Sequence, residues 1–171
     1  MCTVTRLGNL PNEIFLETFD YLHVLDIFSA FGSLNKRISS ILQSTLLCII
    51  ISIDHCRSQV DFLSSYLTFH DHQVISIKID DTIRDDTSII SLLFSRHNFI
   101  NLQFCKFIRI DQSTKLDNVI QQIKTFDKLV SFNIFNLNNM TMNENDKCEL
   151  ARIMLMHKSS SLRSIVLHYP Y

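Results

Sequence analysis

One recurring pattern constrains this chain more than any other feature. From position 46 onward, an apolar residue, a free position and a small or polar residue lead into apolar-x-apolar, and the pattern occurs five times. The copies are Leu46-Leu47-Cys48-Ile49-Ile50-Ile51, Val74-Ile75-Ser76-Ile77-Lys78-Ile79, Phe99-Ile100-Asn101-Leu102-Gln103-Phe104, Leu129-Val130-Ser131-Phe132-Asn133-Ile134 and Leu162-Arg163-Ser164-Ile165-Val166-Leu167, and their first residues step by 28, 25, 30 and 33. Such alternation is the period of a strand. Between copies the period becomes helical: Leu116, Val119, Ile120, Ile123 and Phe126 share one helix face, as do Val60, Leu63 and Leu67, then Ile89, Leu92 and Leu93, and less regularly Cys148, Ala151 and Leu155. Helix-start signals stand in the right places, with Asp54 before the first, Thr114-x-x-Asp117 before the third and Thr141-x-x-Glu144 near the fourth. Strands joined by helices pair in parallel, and repeated units of this length stack in one dimension. The expected architecture for residues 45–171 is therefore a short right-handed α/β solenoid with strands near 46–52, 74–80, 99–105, 129–135 and 162–168. A single open parallel sheet with helices on both faces satisfies the same periodicity.

Composition narrows the function classes. At 171 residues the chain suits one compact domain or a small module joined to a larger one, and 46% hydrophobic residues supply a core. A formal net charge of −1 and the lack of a basic stripe argue against a nucleic-acid backbone or an anionic membrane as partner. Five cysteines, Cys2, Cys48, Cys56, Cys105 and Cys148, are odd in number, scattered and without a C-x-x-C pair, which points to reduced thiols in the cytoplasm or nucleus. The longest apolar run, from Leu46 to Ile53, is too short for a membrane span of about 20 residues. Two glycines and two prolines leave no room for a phosphate-binding loop or a flexible linker.

Before the repeats, and after a tail over 1–9, residues 10–44 read as three short helices. Leu10-Pro11-Asn12-Glu13-Ile14-Phe15 opens the first, with Pro11 suited to the first turn and Glu13 to the positive end of the helix dipole. Ile14 and Tyr21 fall on a different face from Phe15, Phe19 and Leu22, so this helix is apolar on more than one side. A second helix starts after His23 with Asp26 in its first turn, and a third opens at Lys36-Arg37 with Ile38, Ile41 and Leu42 as its stripe. About 35 residues bury little by themselves, which argues for an obligate neighbour.

This segment resembles an F-box. The resemblance rests on Leu10-Pro11-x-Glu13-Ile14 and Asp26-Ile27-Phe28, and Ile38 stands where an aromatic residue usually follows the basic pair. It implies docking onto the Skp-type adaptor of a cullin-RING ubiquitin ligase through Leu10, Pro11, Ile14, Phe15, Leu22, Asp26 and Ile27, while the rest of the chain holds a protein substrate. The second segment resembles a leucine-rich repeat, whose strand unit is L-x-x-L-x-L. The asparagine or cysteine that normally ties neighbouring turns, eight residues after the first leucine, is replaced here by Asp54, Thr82, Phe107, Leu137 and Pro170, so that ladder is not expected.

With the first, fourth and sixth positions of each strand inward, the alternate positions form a second face. On it the expected substrate contacts are Ser76, Lys78, Asn101, Gln103, Ser131, Asn133 and Phe135, hydrogen-bonding groups around one apolar anchor. A solvated sheet face would carry similar residues.

No catalytic residue or metal ligand is assigned, and no cofactor. Cys56 beside His55 and Arg57 invites a nucleophile reading, but sequence neighbours at a helix start do not face each other. His70-Asp71-His72 lacks a second ligand pair, and Asp80, Asp81, Asp85 and Asp86 lack the glycine and final glutamate of a calcium loop. After the fifth strand, His168-Tyr169-Pro170-Tyr171 offers no capping helix, so a covering partner or further repeats are expected there. The overall expectation is an α+β protein: a three-helix F-box followed by a repeat platform, acting as a non-catalytic ligase adaptor. The rival is a solenoid scaffold or inhibitor, outside any ubiquitin ligase, whose helices cap its first strand.

Overall fold

The computed structural model describes residues 7–80, 88–109, 119, 122–135, 148, 151–152, 155–157 and 161–168. A 3-10 turn at Leu7–Asn9 leads into α1 (Asn12–Tyr21), α2 (Val24–Phe31) and α3 (Lys36–Ser44). There follow β1 (Leu47–Ile51), α4 (Arg57–His70), β2 (Val74–Asp80), α5 (Ile89–Arg96), β3 (Phe104–Ile108), β4 (Ser131–Phe135) and β5 (Ser164–His168). The strands form one parallel sheet in chain order, β1-β2-β3-β4-β5. In the last two connections Val119, Gln122, Ile123, Cys148, Ala151, Arg152 and Leu155 are helical. Both candidate caps there, Thr114 with Asp117 and Thr141 with Glu144, lie outside the described residues, as do Asp81, Asp85 and Asp86.

Local chemistry sets the helix starts. Pro11 is the N-cap of α1 rather than part of its first turn. His23 Nδ1 accepts from Leu25 N–H at 3.2 Å, Asn35 Oδ1 from Ile38 N–H at 3.0 Å and Ser88 Oγ from Ser91 N–H at 3.3 Å. For α4 the cap is Cys56, not Asp54, and its N–H donates to Gln59 Oε1 at 2.9 Å.

Inward side chains form two rows across the sheet. Ile49, Ile77, Cys105, Phe132 and Ile165 stand in register, beside Ile51, Ile79, Phe107, Ile134 and Leu167. Val60, Leu63 and Leu67 of α4 and Ile89, Ile90, Leu93 and Phe94 of α5 cover these rows, and all are buried. Among the described residues, the helices of the repeats lie on this side only. Each side chain so enclosed contributes about 1.5–3 kcal/mol.

The third repeat departs from the sequence reading. Its strand is Phe104–Ile108 rather than 99–105, and Leu102, Cys105 and Phe107 fill the positions assigned to Phe99, Leu102 and Phe104. Counted from Leu46, Val74, Leu102, Leu129 and Leu162, the steps become 28, 28, 27 and 33, a more regular period than the one first read. Consequently Asn101 and Gln103 precede the strand, and Cys105, expected outward, is buried. A second departure is at β1, where Leu46 is 64% exposed and Leu47 takes the inward place, with a register shift between Leu47 and Cys48. In the fourth helical segment Cys148 is exposed and Leu155 is 82% exposed, so that apolar stripe is not enclosed.

Ties along the stack, from the end of α3 through the repeats, come from residues other than the leucine-rich-repeat asparagine. Gln73 Nε2 donates to Leu42 O and Thr45 O at 2.7 and 2.8 Å. Asn101 Nδ2 donates to His72 O at 2.5 Å while Lys128 Nζ donates to Asn101 Oδ1 at 2.6 Å, and Gln122 Nε2 donates to Phe94 O.

Candidate interaction surfaces

The three N-terminal helices enclose a small cluster of their own, Phe15, Phe19, Ile27, Ile38, Ile41 and Leu42, with Leu10 and Phe31 against it. Phe15, Phe19 and Phe31 pack with ring centroids 5.1–6.3 Å apart. Ile38 fills a core slot here. Phe15 and Ile27, expected at an adaptor interface, are therefore buried inside the module and unavailable to a partner. Leu10 is half-buried, whereas Pro11, Ile14, Leu22 and Asp26 are exposed. Ile14, at 42%, shares its exposed side of α1 with Tyr21, Leu16 is exposed on the opposite flank, and Leu22, exposed as well, is the extended C-cap that follows the helix. Sequence reading missed what fixes the start of α1: the Arg37 guanidinium donates to Asn12 Oδ1 at 2.6 and 3.0 Å and to Leu10 O at 2.5 Å, lying 5.8 Å over the Phe15 ring. The basic pair opening α3 was visible, but its target 25 residues upstream was not.

The outer face of the sheet carries three rows. The first is Cys48, Ser76, Phe104, Ser131 and Ser164; the second is Ile50, Lys78, Lys106, Asn133 and Val166; the third is Asp80, Ile108, Phe135 and His168. Thus Ser76, Lys78, Ser131, Asn133 and Phe135 stand on the expected face. Asn101 does not, because its amide braces adjacent repeats, and Gln103 engages its neighbours through backbone N–H to Ile75 O at 2.9 Å and C=O to Ser131 N–H at 3.0 Å. Phe104 and Lys106 take their place, and the shifted strand register hid both from the sequence. Phe104 is 44% exposed. Lys106 Nζ lies 4.5 Å over the Phe135 ring, which stacks on His168 with centroids 6.0 Å apart.

At the end of that face Arg109 forms a two-pronged ion pair with Asp80, Nε to Oδ1 at 3.1 Å and Nη2 to Oδ2. That contact holds the guanidinium pKa above its ordinary value. Arg109 has φ 55°, a left-handed conformation that costs a non-glycine residue energy, and its N–H donates to Phe135 O at 2.9 Å.

Groups with reactive chemistry are engaged elsewhere. Cys56 Sγ meets Ser58 Oγ at 3.1 Å, and this bond, followed by the Gln59 N–H, lowers its thiol pKa. His55 turns to Ser52, with Nδ1 3.0 Å from Ser52 N, and stacks on His23 at 4.9 Å. His70 Nδ1 meets Gln73 Oε1, and Asp71 Oδ2 accepts from Asn98 N–H at 3.0 Å. Among the described residues no cluster of three or more His, Cys, Asp or Glu side chains is placed to hold a metal ion, and no helix is long and apolar enough to cross a membrane.

No protein-family model matches the chain, and no curated protein matches it.

Proposed function

We propose that this chain is a non-catalytic substrate adaptor of a cullin-RING ubiquitin ligase, intracellular, with an F-box over residues 10–44 and a leucine-rich-repeat-like solenoid over 45–171. The F-box recruits a Skp-type adaptor; the outer sheet face holds a protein substrate. The observation that carries this reading is on α1. After Phe15 and Phe19 have filled the module's own cluster, Ile14 and Tyr21 remain exposed on one side of the helix, with Pro11 exposed at its start and Leu22 exposed at its C-cap. An apolar helix side left outside a finished core is what a docking partner covers. The reaction itself would be assisted by proximity, since two binding surfaces raise the effective concentration of a target lysine near the conjugating enzyme.

Co-expression with a Skp-type adaptor tests the reading. Co-purification is expected, and loss of it in Pro11→Ala with Ile14→Asp, both at exposed positions, while the chain stays folded. A monodisperse chain that ignores the adaptor favours the second reading, a scaffold or inhibitor capped by its helices. One feature favours that alternative: Val24, Leu25 and Phe28 of α2 belong to the sheet core, so the helices also serve as a lid on β1.

A further inference from the structure

We propose that the outer face of the sheet binds an acidic, extended segment of a partner protein, with one side-chain carboxylate held between Lys78 and Lys106 and a neighbouring apolar side chain against Phe104. The inference rests on the substrate platform proposed above and names what that platform takes.

Lys78 and Lys106 are register partners on adjacent parallel strands, both on the outer face. Neighbouring strands lie about 4.8 Å apart, and like charges directly opposite each other destabilise a sheet. Lysines on edge strands discourage unwanted strand pairing, but β2 and β3 are interior, so that reason does not apply. Among the described residues neither lysine has an ion-pair partner; the Lys106 ammonium rests 4.5 Å from the centre of the Phe135 ring, a contact that leaves its remaining N–H donors for a carboxylate. The acid nearest along the face, Asp80, is held by Arg109. A single carboxylate accepts from both ammonium groups at once and removes the repulsion. One row away, Phe104 stands between Ser76 and Ser131, whose short side chains leave its ring proud of the sheet. All-parallel sheets are normally covered on both faces, and among the described residues the repeats' helices cover only one. Two lysines beside an aromatic ring, in a chain of net charge −1, suit a carboxylate and its apolar neighbour rather than a run of phosphates, which takes a stripe of many cations.

The test is fluorescence anisotropy on the full chain without any adaptor, so its failure and failure of adaptor recruitment are read separately. The probe is a labelled ten-residue peptide alternating Glu and Thr around one central Phe; the control carries Gln for every Glu. Saturable binding of the Glu peptide is expected, weakening at least tenfold with Gln for Glu and at least tenfold in Lys78→Gln with Lys106→Gln, and falling with added salt. Lys36→Gln with Lys124→Gln, the same change of net charge on other surfaces, should leave binding within twofold. The melting temperature of the Lys78/Lys106 variant should stay close to that of the parent, because relief of the lysine–lysine repulsion offsets loss of the Lys106–Phe135 contact. The proposal is overturned by no saturable Glu-peptide binding, by equal loss in both double variants, by equal binding of the Gln peptide, or by a single-stranded oligonucleotide binding through the same lysines in preference to the peptide.

Discussion

His97 shows how a single buried side chain sets a condition on the whole fold. It follows α5, its Nε2 meets Ser64 Oγ of α4 at 2.8 Å, and its Nδ1 is buried without a partner. Burial lowers the imidazole pKa from the usual 6.5, Asp71 opposing the shift and Arg96 adding to it. Because the native state resists a proton that the unfolded chain accepts, the contribution is complete above pH 6.5 and shrinks as the pH falls toward the lowered native value. Urea unfolding of the parent and of His97→Gln, each at pH 7.5 and pH 5, isolates the effect. The stability difference between them should narrow, in the parent's disfavour, at the lower pH; an unchanged difference would show that His97 titrates alike in both states.

At the level of strands and helices, β3 separates what the sequence discloses from what it hides. The helices over Asn12–Ser44, the stripe of α4 and the span Val74–Asp80 were legible because each keeps its own period over its whole length. The third strand was not, because Phe99-Ile100-Asn101-Leu102-Gln103-Phe104 satisfies the alternation as well as the true segment does, whose inward fourth position is a cysteine. Pairing with β2 and β4 decides between them: Phe107 reaches the helix-covered side and Phe104 the open one. Two of the three side chains in the proposed contact were thereby obscured, since Phe104 and Lys106 face outward only in the observed register. Phe107→Ala should cost about 3–5 kcal/mol and Phe104→Ala under about 1 kcal/mol. Denaturant midpoints with the two costs reversed would restore the strand at 99–105.

Across the whole molecule, α2 joins two cores. Val24, Leu25 and Phe28 face the sheet, while Ile27 and Phe31 face the three-helix cluster, and His23, whose Nδ1 accepts from Leu25 N–H, uses Nε2–H to cover Ile50 O on the edge of β1 at 2.6 Å. The joint depends on Gly32 at the C-cap of α2. Its backbone, at φ −59° and ψ −25°, is ordinary right-handed helix, so conformational preference alone says that alanine should stabilise it by about 0.5–1 kcal/mol. Packing says the opposite: an added Cβ would lie 2.6 Å from Phe28 O and 2.8 Å from Tyr66 Cε1. Tyr66 has little freedom to yield, with its ring stacked on Phe28 at 4.8 Å and against Phe62 at 5.0 Å. Overpacking of this kind costs about 1–3 kcal/mol, which exceeds the propensity gain. Gly32→Ala is therefore expected to destabilise the chain by about 1–2 kcal/mol in chemical denaturation, while helix content by circular dichroism stays the same. A variant more stable than the parent would mean that α2 does not approach α4 this closely, and that the helical module is only loosely seated on the repeats.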